Sequence, residues 1–598
     1  MALDGKFFTL NEVFQGEEIE AIYRVARVPV ANQDDIDLSQ SDDPMARMGQ
    51  GFCPAFNQRT FEAAPNVICH QDVEVVLRDG CKIYTDLYLP KNLTEKIPAI
   101  VSWSWFGKRP GDGMSEWQIM GVPPHTVSNL AKFESPDPAF WCYQGYAVAN
   151  VDVRGAGHSE GNVHMFTHQD REDGYDFVEW LASQEWCNGK IGMSGNSGVA
   201  MHQWGIAAEQ PPHLACIAPW ESTTNIFRDS LFEGGIPALS FNEFIAAQVT
   251  GNAGVDDQVA MARKYPFYNG YWKDKQPDFK SVRIPVYQTA GWSHFHLPGS
   301  SRAFIGCKSK LKWFRAHRDF EWPDTYSPVN LQDLKLFYDR YLKDIHNGWE
   351  MTPKVRLDVM DAYDVDYCER RAEKEWPLKR TEYRKYYLDA ANLSMQETPV
   401  EVESSVSYNG ETTEDGYIDR VEFDMEFKED TELTGYMWLR LWVSSDGYDD
   451  MDMFVNVQKA DASGNWIPWT TLNEPHPGAW GKMRVSRREL DEEEMKFYRQ
   501  KGECYWPVQA QKREVKLKEG EIVPVDIAIV PSSRFWHKGQ KLRVQIAGNY
   551  IREGWFEPLS WDTDNKGKHV IHTGGQYDSW LRVPYIPARY KTDGYEYR

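Results

Sequence analysis

The sequence has no long apolar run. None of its segments reaches the roughly 18 consecutive apolar residues that a membrane-spanning helix needs, so no such span is expected. A basic start followed by an apolar stretch is also missing, so a signal peptide is not expected. The sequence contains fewer basic than acidic residues: 66 Lys and Arg compared with 89 Asp and Glu, which gives a net charge of −23. This balance disfavours nucleic acids and anionic membranes as partners.

Cysteines are few and scattered. Nine occur in 598 residues, an odd count without the close pairs that are typical of metal sites. Reduced thiols and a cytoplasmic location are therefore expected. Aromatic residues are abundant, with 24 Trp and 30 Tyr, which favours large cores and apolar pockets. We expect a small-molecule substrate and no cofactor or metal; whether the chain forms homo-oligomers is left open.

The domain organisation follows from changes in hydrophobic pattern along a chain too long for one core. Residues 1–65 are polar and predict an irregular arm. Over 66–221 and 283–351, strand and helix patterns alternate, which predicts an α/β domain with a doubly wound parallel sheet. The intervening residues 222–282 are helical and aromatic-rich, and they predict a cap over a ligand crevice. Residues 352–598 show short alternating strands, typical of a β-sandwich or jelly roll.

The most informative motif surrounds Ser197. A short strand over 190–194 is followed by a tight turn with Gly195 and Gly198 and by a helical pattern, which is the arrangement of a nucleophile elbow. The expected second glycine is missing, but Ala200 is small enough for the same close packing. The alternative is a serine that only caps a helix. As a nucleophile, Ser197 would use the Gly198 N–H as one oxyanion donor.

A general base and an acid must come from later in the chain. His317 follows the strand pattern over 310–315 and is the candidate base, while Glu221 ends the strand pattern over 214–221 and is the candidate acid. Asp319 and Glu321 remain alternative acids. Rival candidates for the base are His294 and His296, which form an H-x-H pair. We expect these two to line the pocket or to support the site from behind, and one alternating pair is weak evidence for a metal.

Several motifs, taken in order, resemble the cocaine esterase and X-Pro dipeptidyl-peptidase (CocE/NonD) family, which includes α-amino acid ester hydrolases. They are DVRGAGHSEG (152–161), GKIGMSGNSGVAMHQW (189–204) and AGWSHFHLPG (290–299), followed by the β-rich C-terminal region. The resemblance implies an α/β-hydrolase domain with an inserted helical cap and a jelly roll of galactose-binding type. It also implies a serine hydrolase that acts through an acyl-enzyme, with Ser197 as its nucleophile and His317 as its base.

The sequence departs from that family pattern around the serine. Phe106, after Trp105, stands where the family has a tyrosine whose hydroxyl helps to stabilise the oxyanion, and His294, two residues after Trp292, stands where the family has an aspartate. Gly198 replaces a tyrosine. The Phe106 main-chain N–H or a nearby side chain would then replace the missing donor. The residues predicted to form the oxyanion site and the pocket are Gly198, Phe106, Trp105, Trp292, His294 and His296.

These observations predict a serine hydrolase that cleaves an ester or amide bond of a small apolar or aromatic substrate. The alternative is a protein of the same fold that uses the pocket for acyl transfer, lyase or cyclisation chemistry, or that only binds.

Overall fold

The N-terminal residues form a β-hairpin that packs on the segment predicted as a cap. The computed structural model describes residues 6–27, 55–109, 121–123, 125–472, 474–551, 560–588, 590–592 and 595–597. Strands β1 (Phe7–Phe14) and β2 (Glu17–Val25) pair antiparallel, and β10 (Gly254–Asp256) adds to β2. The irregular arm predicted here is therefore wrong for these residues, because β2 buries Ile19, Ala21 and Tyr23 against that segment. Residues 28–54 of the predicted arm lie outside the described set.

A mixed sheet forms the centre of the molecule, with strand order β3-β4-β5-β7-β6-β8-β9-β11-β12-β13. The first strands pair antiparallel, and those from β7 to β13 run parallel. The strands are β3 (Arg59–Ala64), β4 (Val67–Val76), β5 (Lys82–Pro90), β6 (Ile97–Ser104), β7 (Ala147–Asp152), β8 (Cys187–Asn196), β9 (Leu214–Trp220), β11 (Val286–Gly291), β12 (Lys312–His317) and β13 (Val355–Ala362). Strands β6 and β7 are buried along their whole length, which explains their nearly continuous apolar sequences.

Helices cover the sheet and occupy the insertion between β9 and β11. They are α1 (Pro138–Tyr143), α2 (His168–Ala182), α3 (Ser197–Ala208), α4 (Ser240–Gln248), α5 (Gln258–Lys264), α6 (Gly270–Asp274), α7 (Leu297–Gly306), α8 (Glu321–Thr325), α9 (Pro328–Leu342) and α10 (Glu492–Met495). Helices α4 to α6 lie in the segment 222–282, together with a π-helical turn at Phe227–Leu231. Among the described residues, no helix combines the length and the apolar composition that crossing a membrane requires.

The C-terminal domain is β-rich and continues from the central sheet, because β13 pairs parallel with β12 and antiparallel with β14. Its longest pairing joins β19 and β26 in antiparallel register. The strands are β14 (Val365–Glu373), β15 (Glu382–Asp389), β16 (Ser394–Gln396), β17 (Ser404–Asn409), β18 (Arg420–Glu426), β19 (Thr431–Asp446), β20 (Asp452–Ala460), β21 (Trp469–Thr471), β22 (Glu474–His476), β23 (Ala479–Arg484), β24 (Arg499–Gln500), β25 (Glu503–Cys504), β26 (Val523–Trp536), β27 (Lys541–Ala547), β28 (Lys568–Thr573), β29 (Trp580–Tyr585), β30 (Tyr590–Thr592) and β31 (Tyr595–Tyr597). Its jelly-roll topology stays a prediction.

A hydrophobic core joins the α/β and C-terminal parts of the chain. Trp292 is fully buried in it, packs against Trp376 and donates its indole N–H to the Asp358 carbonyl at 2.9 Å. The sequence analysis placed Trp292 in the substrate pocket. The structure places it in this core instead, because the side chain points from the end of β11 towards β13 and its neighbours.

Candidate active site

The chain makes a strained turn at Ser197, between β8 and α3. Ser197 has a φ of +52°, in the left-handed region that serines rarely adopt. The turn depends on Gly195, because a Cβ there would lie 2.4 Å from Val199 Cγ1 and 2.7 Å from the Glu134 carbonyl oxygen. The Ser197 N–H donates to the Glu221 carbonyl at 2.8 Å and so anchors the turn to the end of β9. Such strain is typical of residues held in place for chemistry.

The imidazole that contacts this serine belongs to His296. Its Nε2 lies 2.9 Å from Ser197 Oγ, and its Nδ1 lies 2.8 Å from Thr223 Oγ1. Burial and the neighbouring His294 lower the pKa of His296 to about 3, so the ring is neutral at physiological pH. With the ring proton on Nδ1, the Thr223 hydroxyl would accept it and Nε2 would be left to accept the serine proton. Covalent catalysis by a serine requires a hydroxyl–imidazole contact of this kind.

His317, the base predicted from the sequence, pairs with carboxylates instead. Its Nε2 lies 3.0 Å from Glu221 Oε1 and 3.3 Å from Asp324 Oδ2. Burial alone would lower the pKa of His317, but Asp324 and then Glu221 outweigh it and raise the pKa above its usual value. Strand β12, which carries His317, lies three strands from β8 and thus roughly 14 Å away in the sheet. The turn after β11 instead brings His296 onto the serine.

The three candidate acids have different positions. Glu221 is buried at the end of β9, where its Oε2 also lies 3.5 Å from His294 Nδ1. Glu321, the first residue of α8, approaches His294 Nε2 at 3.2 Å and accepts a hydrogen bond from Asn196 Nδ2 at 2.9 Å. Asp319 is exposed and contacts His317 only through its main-chain oxygen, at 3.2 Å. The Nδ1 partner of His296 is therefore the Thr223 hydroxyl rather than one of these carboxylates.

Glu321 also has a shifted proton affinity. Burial raises its pKa to about 7, although the neighbouring His296 and the hydrogen bond from Asn196 act in the opposite direction. Its carboxyl group therefore changes charge close to neutral pH.

Aromatic side chains cover Gly198, the residue after the serine. A Cβ on Gly198 would lie 3.2 Å from the Phe106 ring and 3.5 Å from the Trp105 ring. Trp105 packs in turn against His202, with 4.7 Å between ring centroids. The Phe106 N–H donates to Ser104 Oγ at 2.9 Å. The suggestion that this N–H is the second oxyanion donor is therefore wrong, since it already has another acceptor.

Sequence reasoning missed Glu134, which lies in the loop before α1. The residue is 2% exposed and has a φ of +54°. Its Oε1 accepts from Trp322 Nε1 at 3.2 Å, and its main-chain oxygen accepts from the Asn196 N–H at 3.3 Å. Burial, and then the Glu321 carboxyl, raise the pKa of Glu134 well above its usual value. No motif connects this loop to the elbow, so only the fold reveals the contact.

Three of these side chains could also hold a metal ion. His294, His296 and Glu321 each offer a ligand atom, and these atoms lie within 4.8 Å of one another. Both ring nitrogens of His296 already make hydrogen bonds, so a metal would displace Ser197 or Thr223. The H-x-H pair acquires its third potential ligand only through the tertiary structure.

A pocket that is partly open to solvent adjoins the turn that carries the two histidines. Residues of the inserted segment, the β11 turn and the C-terminal domain line it together. Its acidic groups are paired, since Asp229 lies 2.6 Å from Arg302 and Glu233 lies 2.5 Å from Lys482. The aromatic side chains that line it are Phe295, Phe320, Trp480, Tyr550 and Trp561.

The parallel sheet and the strand–serine–helix turn define an α/β-hydrolase. The family model for X-Pro dipeptidyl-peptidase (S15 family) matches residues 79–260, and the model for the X-Pro dipeptidyl-peptidase C-terminal non-catalytic domain matches residues 347–582. A CocE/NonD family hydrolase from Staphylococcus aureus is 34% identical, covers 87% of this chain and 94% of its own, and superposes with a TM-score of 0.81. The chain belongs to the CocE/NonD family of hydrolases, which confirms the resemblance read from its motifs.

Two more distant relatives were found. The cocaine esterase of Rhodococcus sp. is 27% identical over 387 residues, which cover 54% of this chain and 63% of the esterase. The match thus spans less than two thirds of that relative. An aminopeptidase from a Thaumarchaeota archaeon is 15% identical, with a TM-score of 0.65 over 86% of this chain and 96% of its own. It shares the fold.

Proposed function

We propose that this protein is a serine hydrolase that cleaves an ester or amide bond of a small, uncharged, apolar or aromatic substrate through an acyl-enzyme on Ser197. One observation carries the proposal: the Ser197 hydroxyl lies 2.9 Å from the Nε2 of the buried His296. The family membership supports hydrolytic chemistry.

In this mechanism Ser197 Oγ attacks the substrate carbonyl carbon while His296 Nε2 takes the serine proton. The tetrahedral intermediate carries its negative charge on the former carbonyl oxygen, next to the Gly198 N–H. The imidazolium then gives its proton to the leaving alkoxide or amine, and the acyl-enzyme forms. Water repeats the sequence: His296 takes a proton from the water that attacks the acyl carbon and returns it to Ser197.

The neighbours of His296 have positioning roles. Thr223 accepts the Nδ1 proton at 2.8 Å, which selects the tautomer that leaves Nε2 free for the serine. The pair of Glu321 and His294 lies behind the base, and the Glu321 charge favours the imidazolium. Glu221, proposed from the sequence as the acid of the triad, acts here through its main chain, which holds the Ser197 N–H.

The substrate preference follows from the adjoining cavity. Five aromatic side chains line it, and both of its acidic residues are neutralised by ion pairs. Such walls favour burial of an uncharged aromatic or aliphatic group. We assign the inserted segment 222–282 the role of a cap and the C-terminal domain the role of a second wall. The partner we propose is this small molecule, and the net charge of −23 argues against nucleic acid.

A fluorophosphonate probe tests the proposal directly, because it reacts with activated serines. We expect wild-type protein to be labelled stoichiometrically, and Ser197→Ala to remain unlabelled with an unchanged melting temperature. Equal labelling of both proteins would refute the role of Ser197. A panel of p-nitrophenyl esters with neutral, cationic and anionic acyl groups then tests the substrate preference, and the neutral aromatic ester should have the highest kcat/KM. Labelling without turnover of any ester or amide would favour the acyl-transfer alternative.

A further inference from the structure

We propose that Asp170 and His202 fix the tautomer of His296 through one ordered water molecule and the Thr223 hydroxyl. The inference rests on the proposed function, in which His296 takes the proton of Ser197. It gives the site a carboxylate behind the base, where Thr223 is the direct partner of Nδ1. Asp170 and His202 are positioning residues, because neither touches the reacting atoms.

The near end of this relay is the contact between Thr223 and His296. The segment before Thr223 is anchored, because the Ser222 N–H donates to Ser300 Oγ at 2.8 Å. A Cβ on Gly299 would lie 2.7 Å from Thr223 Cα, so only glycine allows α7 to approach this closely. Thr223 Oγ1 thereby lies 2.8 Å from His296 Nδ1. A hydroxyl can accept from a ring N–H or donate to a bare ring nitrogen, so this contact by itself permits both tautomers.

The far end of the relay is a buried pair that joins α3 to α2. His202 Nδ1 lies 2.7 Å from Asp170 Oδ2, and Trp103 Nε1 donates to Asp170 Oδ1 at 2.9 Å. Asp170 lies in the first turn of α2, where the helix dipole favours a negative charge. Because a carboxylate only accepts hydrogen bonds, the proton between the two side chains belongs to His202 Nδ1. In the neutral ring, Nε2 is then an acceptor.

A small cavity connects the two ends. His202 and Thr223 both line it, together with Thr224, and it has room for about one water molecule. Within the described residues, His202 Nε2 is buried without a hydrogen-bond partner, and the Thr223 hydroxyl bonds only to His296. A buried acceptor left without a donor is costly. A water molecule between His202 and Thr223 satisfies both groups.

The relay gives every hydrogen bond one direction. Since His202 Nε2 can only accept, the water donates to it, and the Thr223 O–H donates to the water. The Thr223 oxygen is then left to accept the Nδ1 proton of His296. Nε2 of His296 carries no proton and faces Ser197 Oγ at 2.9 Å. With all directions reversed, Nε2 would hold the proton and could not act as the base. No proton crosses the relay during the reaction.

Asp170→Asn tests this direction, because an asparagine amide can donate to His202 Nδ1 and move the ring proton to Nε2. We expect it to lower kcat on an activated ester by about 10–100-fold, with KM within about twofold of wild type. In a Thr223→Val background the same substitution should change kcat by less than about twofold, because the relay is already broken there. Trp103→Phe is the matched control, since it removes a hydrogen bond of Asp170 without reversing the relay, and its kcat should stay near that of wild type.

His202 is tested by a pair of substitutions. His202→Leu removes the acceptor and should lower kcat about fivefold, as expected for loss of one hydrogen bond. His202→Gln keeps one donor and one acceptor and should restore kcat to within about twofold of wild type. The melting temperatures of both variants show whether they are folded.

Three results would overturn the inference. The first is an equal loss of kcat from Asp170→Asn with and without Thr223, and the second is a folded His202→Gln variant as slow as His202→Leu. The third needs only the wild-type protein: ¹⁵N NMR of its histidine rings would show the proton of His296 on Nε2 instead of Nδ1. This measurement decides if the variants fail to fold. Fluorophosphonate labelling separates the two proposals, because an unlabelled wild type refutes the nucleophile, whereas a labelled wild type with any of the three results refutes only the relay.

Discussion

The identity of the general base is the point at which sequence and structure differ most, and it can be tested by replacing His296 and His317 separately by alanine. Because His296 Nε2 lies 2.9 Å from Ser197 Oγ, we expect His296 to be the group that removes the serine proton. Both histidines are buried, so bulk water cannot easily take over from either. His317 faces two carboxylates and should affect folding more than chemistry.

The expected magnitudes follow from these contacts. Loss of a positioned general base costs up to about 10⁴-fold in rate, or about 5 kcal/mol of transition-state stabilisation. We therefore expect His296→Ala to lower kcat/KM on an activated ester by about 10³–10⁴-fold, with little change in melting temperature. His317→Ala removes the partner that lies 3.0 Å from Glu221, and breaking such a buried pair costs about 3–5 kcal/mol of folding free energy, while Asp324 keeps its ion pair with Arg315. At a temperature where that variant is folded, its kcat should stay within about tenfold of wild type.

The assay combines ester turnover, the rate of fluorophosphonate labelling and thermal unfolding of each variant. Labelling should become slow in His296→Ala and remain fast in folded His317→Ala. The opposite pattern, with His317→Ala folded but unlabelled and His296→Ala labelled at the wild-type rate, would contradict our assignment. It would show that the base is the histidine at the end of β12.

Three further outcomes are expected. Thr223→Val removes the hydroxyl that holds Nδ1 of His296 and should lower kcat about fivefold, in line with the loss of one hydrogen bond of about 1 kcal/mol; an unchanged kcat would argue against its positioning role. Burial lowers the pKa of Lys132 to about 7. Between about pH 7 and 10.5 the unfolded chain therefore binds more protons at this residue than the folded chain does, and the stability of the wild-type protein rises with pH. In urea unfolding at two pH values two units apart in that window, the increase in the free energy of unfolding with pH should be about 2–3 kcal/mol smaller in Lys132→Met than in wild type. An equal increase in both proteins would show that the pKa of Lys132 is not lowered. Gly195→Ala forces a Cβ to 2.4 Å from Val199 at a φ of +133° and should destabilise the fold by about 1–3 kcal/mol in the same assay; a neutral result would mean that the elbow relaxes freely.

Most of the central sheet could be predicted from sequence because its buried strands leave a strong local pattern. The run at 97–105 became β6, and the run at 214–221 became β9 with Glu221 just beyond its end. The hairpin of β1 and β2 was missed, since its apolar positions are interleaved with charged residues and become buried only against the inserted segment. The location of Trp292 was predicted wrongly for a similar reason. A tryptophan is equally compatible with a pocket wall and with a core, and only its packing with β13 shows that it lies in the core.

The sequence by itself determined the elbow, because the turn at Ser197 depends on local features: the strand before it, Gly195 at positive φ and the helix after it. Only the tertiary structure decided which groups surround that serine. His296 lies 99 residues later in the chain and contacts the serine hydroxyl, while Glu134 lies earlier in the chain and contacts the turn through its main-chain oxygen. Spacing rules describe neighbours along one strand or helix, whereas this site is assembled at the ends of several strands by loops whose paths depend on the packed core.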